Sequence, residues 1–196
     1  MKKIKQAVFF LIALLYLNIN ALYAEPQVSV RTEHYQVTGN TLDELSESMT
    51  RNAPPQLSGF FALTKWNVSW KYNSSPVGSG CSVTSLNVKL DVVFTLPEWR
   101  GEANADEKIR KKWNKFIKNL QKHEDGHQQI GLEAARKIEK ILTQGKIYDN
   151  CQQVGQILNQ SSEAVLTEKR AEEVRYDERT KHGQRQGAQL KYSNPE

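Results

Sequence analysis

The first half of the chain alternates between apolar and polar positions at period two, a pattern that predicts β-strands. Residues 28–32 and 35–38 are two short candidates. Residues 61–72 form the clearest strand, because aromatic and β-branched side chains dominate it. Residues 82–96 predict another strand, which we expect to pair with residues 61–72 across a turn region at residues 73–80.

Apolar positions at steps of three and four residues predict helices in the rest of the chain. A short helix fits between the strands, with Thr41 as N-cap, Glu44 three residues later, and an end near Met49, before two prolines. A long helix is predicted from about residue 104 to Gly145. The positions that recur on its apolar side are Ile109, Trp113, Phe116, Ile117, Leu120, His127, Ala134, Ile138 and Ile141.

A second long helix is predicted over about residues 151–170. Residues 176–196 are polar and lack apolar periodicity, so we expect the chain after about residue 188 to be disordered. These elements predict an α+β fold, in which two long helices follow a small antiparallel sheet. We expect one domain over residues 25–190 and a disordered tail over residues 191–196.

Residues 1–24 have the parts of a secretory signal peptide: a positive start, an apolar run over residues 7–17, and Ala24 at the predicted cleavage point. The apolar run is shorter than the roughly 20 residues of a membrane span. The residue directly after Ala24 is Glu25 and not a cysteine that could carry a lipid. The mature chain is therefore expected to be secreted or periplasmic, without a stable membrane anchor.

Removal of the signal peptide also lowers the charge. The formal net charge of +5 falls to +2, because Lys2, Lys3 and Lys5 leave and no acidic residue leaves with them. Nucleic-acid binding usually needs a clustered basic excess, and the mature sequence has none. We therefore expect no nucleic-acid partner.

Two cysteines, Cys81 and Cys151, lie in the mature chain. An even number of cysteines in an oxidising compartment favours a disulfide bond between them. The alternative makes them zinc ligands, but neither is part of a C-x-x-C pair. A disulfide is the preferred interpretation.

The segment His123-Glu124-Asp125-Gly126-His127 has the H-E-x-x-H pattern of zincin metallopeptidases and lies in the predicted long helix. Histidines four residues apart project from one helix face, so both imidazoles can bind one Zn²⁺. Glu124 would lie beside the ion, where it can accept a proton from water. This face is also the apolar one, where unpaired polar groups are costly. The alternative is a solvated helix face that matches the pattern by chance.

A catalytic Zn²⁺ needs a third protein ligand and one open position. Glu133 is excluded, because Ile130 replaces the glycine that would break the helix, so Glu133 lies about 120° around it from His127. His34 lies in a strand-like segment and is expected to be an ordinary residue. The remaining candidates for the third ligand are Glu163, Glu168, Glu172, Glu173 and His182.

A second motif, Tyr-Asp-x-x-Thr-x-His-Gly, occupies residues 176–183. With both motifs, the chain resembles an uncharacterised bacterial family whose members are regarded as secreted zinc-dependent proteases. The resemblance extends to Trp-Asn-Val-Ser-Trp at residues 66–70, Pro-Glu-Trp at 97–99, Gln-Gly-Ala at 186–188 and the two cysteines. It implies His182 as the third zinc ligand and supports a bond between Cys81 and Cys151.

The resulting hypothesis is a zinc-dependent peptidase that hydrolyses an unidentified peptide or protein, with Zn²⁺ bound by His123, His127 and His182. Glu124 would act as general base, while Tyr176 would donate a hydrogen bond to the oxyanion. Asp177 would orient a ligand histidine through its second ring nitrogen. The alternatives are a non-catalytic binding module stabilised by zinc, and a zinc hydrolase of a non-peptide amide such as a cell-wall crosslink.

Overall fold

Three strands form the sheet of the protein in a computed structural model that describes residues 25–190. They are β1 (Gln27–Val37), β2 (Leu63–Val77) and β3 (Gly80–Trp99). The segment predicted as a signal peptide and the predicted tail, residues 1–24 and 191–196, lie outside the described residues. The strand pattern of the sequence is confirmed, although the two short candidates at residues 28–38 form one continuous strand.

The sheet is mixed, so the prediction of an antiparallel sheet is wrong for one strand pair. β3 lies in the centre, antiparallel to β2 and parallel to β1. The reason is the connection that follows β1. Helix α1 (Leu42–Asn52) and a 3-10 turn carry the chain from the end of β1 to the start of β2, at the same end of the sheet but at its opposite edge. β3 then enters between them through a hairpin.

The start of α1 is determined locally, as the sequence predicts. Thr41 is the N-cap, and its hydroxyl oxygen accepts a hydrogen bond from the Glu44 backbone N–H at 3.2 Å. The Glu44 carboxylate in turn accepts from the backbone N–H of Asn40 at 2.6 Å. Two backbone donors at the helix start are thereby satisfied.

The two long helices are α2 (Glu107–Leu142) and α3 (Cys151–Thr180). The α+β arrangement of the sequence prediction is confirmed. α3, however, continues ten residues beyond its predicted end, so Tyr176 and Asp177 belong to this helix and not to the polar segment expected after it. Buried Ala188 and Leu190 show that the chain stays packed on the core up to the end of the described residues. Within residues 25–190, no helix is long and apolar enough to cross a membrane.

The core lies between the sheet and α2. Alternate positions of β3 are buried, as expected for a strand with one face against a helix. They share one cluster with aromatic residues of α2, where the ring centroids of Trp113 and Phe116 are 5.7 Å apart. The alternating buried positions are Val88, Leu90, Val92, Phe94 and Leu96, and Cys81, Thr95 and Trp99 of β3 are buried as well.

A disulfide bond joins Cys81, at the start of β3, to Cys151, at the start of α3. The pairing agrees with the sequence prediction. A backbone bridge supports it, because Cys81 and Tyr148 exchange two N–H···O hydrogen bonds of 2.8 Å. The disulfide therefore attaches α3 to the sheet at the end of the helix that is far from Asp177.

We predict that replacing both cysteines by serine lowers the free energy of unfolding by about 4 kcal/mol, because the bond closes a loop of 70 residues in the unfolded chain. Urea denaturation of the variant and of the wild type measures this difference. Dithiothreitol should lower the wild-type midpoint and leave that of the variant unchanged. Equal midpoints for the two proteins would contradict the prediction.

Candidate metal centre

One face of α2 carries the three residues of the H-E-x-x-H pattern. His123, Glu124 and His127 are all buried, with 3%, 3% and 8% of their surface exposed. The imidazole ring centroids of the two histidines are 5.0 Å apart, as expected for residues one turn apart on a helix. The pattern is therefore not on a solvated helix face.

α3 brings a carboxylate to these imidazoles. Asp177 Oδ1 lies 3.1 Å from His123 Nε2 and 3.0 Å from His127 Nε2. Ligand atoms of these three residues all lie within 4.8 Å of one another, close enough for one ion to touch all three. Among residues 25–190, no other group of three histidine, cysteine or acidic side chains has its ligand atoms this close together.

The outer nitrogens of both rings face hydrogen-bond acceptors. His123 Nδ1 lies 3.0 Å from Gln186 Oε1, and His127 Nδ1 lies 3.2 Å from Glu173 Oε1. An acceptor at Nδ1 favours the ring hydrogen there and leaves a lone pair on Nε2. Two Nε2 lone pairs and a carboxylate oxygen then meet at one point, an arrangement that requires positive charge between them. Metal-bound histidines are commonly held in this way by acceptors behind the ring.

The pKa values of His127 and Asp177 without a metal ion show the same need for positive charge at this point. Burial lowers the pKa of His127, but the carboxylates of Asp177 and Glu173, one at each ring nitrogen, together raise it to about 9. Burial raises the pKa of Asp177, but hydrogen bonds from His123 and His127 outweigh it and hold this pKa well below its usual range. Either protons or a metal ion can supply the charge that compensates these carboxylates.

Glu124 lies beside this group and is held by the start of β2. The buried Thr64 hydroxyl lies 2.6 Å from Glu124 Oε2, to which it donates a hydrogen bond. It also lies 3.2 Å from the backbone carbonyl oxygen of Glu124. Burial raises the pKa of Glu124, and the hydrogen bond from Thr64 and the nearby imidazoles oppose this rise only in part.

His182 lies at the outer edge of the site. Its Nδ1 is 3.6 Å from the Asp177 Oδ1 that the other two imidazoles share, and 43% of its side chain is exposed. Its ring stacks on Phe60, with the ring centroids 4.0 Å apart. The chain reaches this position through left-handed backbone at Lys181, His182 and Gly183, and Gly183 packs closely on the side chain of His123.

The structure therefore brings Asp177, expected as an orienting residue, to the point where the two imidazoles meet, and places the expected ligand His182 farther out. Of the alternative ligands, Glu173 contacts the outer nitrogen of His127, not the inner one. The other glutamates considered as ligands form ion pairs elsewhere or lie apart from this group: Glu168 with Lys137, Glu133 and Glu172 with Lys169, and Glu163 far along α3.

Tyr176 packs behind His123. The two rings are parallel, with centroids 5.0 Å apart and an interplanar angle of 8°. The Tyr176 hydroxyl donates to the His123 carbonyl oxygen at 3.1 Å and accepts from Gln186 Nε2 at 3.1 Å. This places the hydroxyl against the α2 backbone, so the contact holds the His123 ring in position.

Sequence reasoning missed Thr64, Gln186 and the roles of Glu173 and Asp177. Thr64 is one polar position among many on a strand and carries no signal in the sequence. A signal did exist for Asp177, because no glycine or proline interrupts the helical pattern between Gly155 and Gly183. Continuing α3 through that stretch would have placed Asp177 on a helix.

A cleft of about 670 Å³ opens above these residues. Its lining combines residues 56–64 with the α3 residues Arg170, Glu173, Val174 and Asp177. His123, Glu124 and His127 line its floor together with apolar Leu120. The cleft is large enough for several residues of an extended chain, and its walls are mixed apolar and polar.

We predict that Gly126→Ala disrupts the site, because a Cβ at this position would overlap the Tyr176 hydroxyl and ring. Overpacking of this kind costs about 1–3 kcal/mol of stability, and displacement of the His123 ring should weaken the binding of a metal ion offered to this site. Thermal unfolding and zinc titration measure the two effects. Asp125→Ala, at the exposed neighbouring position, is the control and should change neither. Wild-type zinc affinity in Gly126→Ala would contradict the prediction.

Comparison with known proteins gives one family. A model described as a bacterial protein of unknown function (DUF922) matches residues 32–183, a stretch that includes both cysteines, the H-E-x-x-H pattern and residues 176–183. Neither the characterised proteins nor the solved structures searched gave a significant match. Since the match covers most of the chain, this protein belongs to the bacterial DUF922 family.

Proposed function

We propose that this chain is a secreted zinc-dependent peptidase. The observation that carries the proposal is the meeting of His123, His127 and Asp177, whose ligand atoms lie within 4.8 Å of one another. The acceptors behind both imidazoles support it, because they leave the inner nitrogens with lone pairs. Secretion rests on the signal-peptide pattern of residues 1–24.

The donor set fits zinc. Two imidazoles and one carboxylate are a ligand combination that Zn²⁺ uses in catalytic sites, where three protein ligands leave a further position open. His123, His127 and Asp177 would hold the ion. Zn²⁺ bound there would supply a Lewis acid that acidifies water and polarises a carbonyl group.

Glu124 is the proposed general base. It faces the cleft beside the imidazoles, and the Thr64 hydrogen bond fixes one of its oxygens while the other remains available. Its raised pKa brings it nearer to neutral pH, which makes both the acceptance and the return of a proton more effective. The carboxylate would take a proton from the attacking water and deliver it to the leaving amine.

The residues around the metal ligands would hold the two imidazoles in position. Tyr176 and Gln186 hold His123, and Glu173 holds His127. The half-exposed His182 imidazole lines the cleft and can offer an N–H to the carbonyl oxygen of a substrate. This assignment differs from the sequence hypothesis, in which Tyr176 had that role and His182 bound the metal.

The alternatives differ in what they require of Glu124. A non-catalytic binding module would need the ligands, but it would gain nothing from a buried carboxylate that is fixed by Thr64. A hydrolase of a non-peptide amide, such as a cell-wall crosslink, would use the same groups. We prefer a peptide substrate because the open cleft between residues 56–64 and α3 suits an extended chain.

We predict one zinc ion per chain in the wild type, measured by mass spectrometry on protein purified without chelators. Asp177→Ala and His123→Ala should lose most of this zinc, because ligand loss lowers affinity steeply, whereas His182→Ala should retain it. Glu124→Gln is the control and should also retain it. Loss of zinc from His182→Ala but not from Asp177→Ala would assign the third ligand to His182, and metal-free wild type would remove the peptidase proposal.

We predict that Glu124→Gln abolishes cleavage of a peptide library, with a loss of at least about 100-fold from removal of the general base. Thr64→Val should lower the rate while zinc content stays constant, because it releases the Glu124 carboxylate. Thr64→Ser, which keeps the hydroxyl, should restore most of the activity. Mass spectrometry of the products measures all three, and wild-type activity in Glu124→Gln would disprove its assigned role.

A further inference from the structure

The α3 wall of the cleft presents four residues at helical spacing, and Arg170 is the farthest of them from the imidazoles. Arg170, Glu173, Val174 and Asp177 recur at steps of three, one and three residues, so they share one helix face along the cleft. Among the described residues that line the cleft, no other is a lysine or an arginine. Its guanidinium therefore provides a positive charge beyond the metal centre.

Arg170 has no acidic partner within residues 25–190, although α3 is rich in acids. Glu173, three residues away, would be its natural partner. Its Oε1, however, accepts a hydrogen bond from Trp66 Nε1 at 2.6 Å and faces His127 Nδ1 at 3.2 Å. The other nearby acids of α3 are engaged in the pairs Glu168–Lys137 and Glu172–Lys169. The donors of the Arg170 guanidinium remain available to a ligand in the cleft.

We propose that Arg170 binds a carboxylate of the substrate. The proposal rests on the peptidase function above and specifies the substrate class of that same site. A guanidinium presents paired N–H donors that match the two oxygens of a carboxylate. Such a group would bind either the free C-terminus of a peptide or the side chain of an aspartate or glutamate.

The spacing along α3 sets where this carboxylate lies. Arg170 is seven residues from Asp177, about 10 Å along the helix axis at 1.5 Å per residue. An extended peptide advances about 3.3 Å per residue. The carboxylate therefore belongs about three residues from the bond that is cut. Between these points the substrate passes the exposed side chain of Val174, which favours an apolar residue there.

The test uses thiol peptides that bind a zinc ion through sulfur and are not cleaved. The three probes are 3-mercaptopropanoyl-Leu-Ala with a free carboxylate, the same molecule as its C-terminal amide, and 3-mercaptopropanoyl-Leu-Glu amide. Isothermal titration of the zinc-loaded wild type gives the Kd of each. We expect at least one carboxylate probe to bind about tenfold more tightly than the neutral amide, as for a charge-assisted pair.

Variants then assign the effect to one side chain. Arg170→Gln should remove the difference between the acid and amide probes and leave amide binding unchanged. Arg175→Gln, an exposed position of α3 outside the cleft lining, is the matched control and should keep the difference. Thermal unfolding of each variant shows that it is folded, and the comparison of probes on the wild type does not depend on any variant.

The outcomes separate this inference from the function on which it rests. A gain with the free C-terminus identifies a terminal carboxylate as the ligand, and a gain with the glutamate probe identifies an acidic side chain. Equal binding of all three probes to zinc-loaded wild type would overturn the Arg170 site and leave the peptidase proposal standing. A wild type that takes up no zinc would overturn the peptidase proposal, and the carboxylate site would fall with it.

Discussion

The meeting of two imidazole nitrogens at one carboxylate oxygen is the interaction on which the site depends. It joins α2 to α3, because the imidazoles belong to one helix and Asp177 to the other. Three lone-pair atoms this close repel one another unless positive charge lies between them. The fold supplies the groups around that charge, from Glu173 and Gln186 behind the rings to Asp177 in front.

Close approach of the elements is made possible by glycines that face aromatic rings. Gly126 of α2 lies under Tyr176, Gly131 lies against Trp66 of β2, and in α3 Gly155 lies against the hydroxyl of Tyr72. A side chain at any of them would push the neighbouring element away. Glycine inside a helix costs stability, so its repeated use here reflects packing and not helix formation. The aromatic side chains Trp66 and Tyr72 of β2 therefore pack the helices against the sheet.

The parts of the structure that the sequence predicts are those set by local rules. The Thr41 cap, the strand alternation of β3 and the common face of His123 and His127 all follow from the spacing of a few neighbouring residues. The parallel placement of β1 depends on which edge of the sheet α1 crosses to, and no short pattern encodes that choice. The convergence of Asp177 on the imidazoles likewise requires the packing of two helices whose residues lie 50 positions apart.

The single hydroxyl of Thr64 has two acceptors within reach, the Glu124 carboxylate and the carbonyl oxygen of the same residue. It has only one hydrogen to give. When Glu124 is ionised, that hydrogen can point to the carboxylate. When Glu124 is protonated, the hydroxyl can rotate toward the carbonyl and accept from the carboxylic acid instead. Both charge states of Glu124 are thereby satisfied by one bond rotation, so gaining or losing a proton demands little reorganisation of the heavy atoms around it.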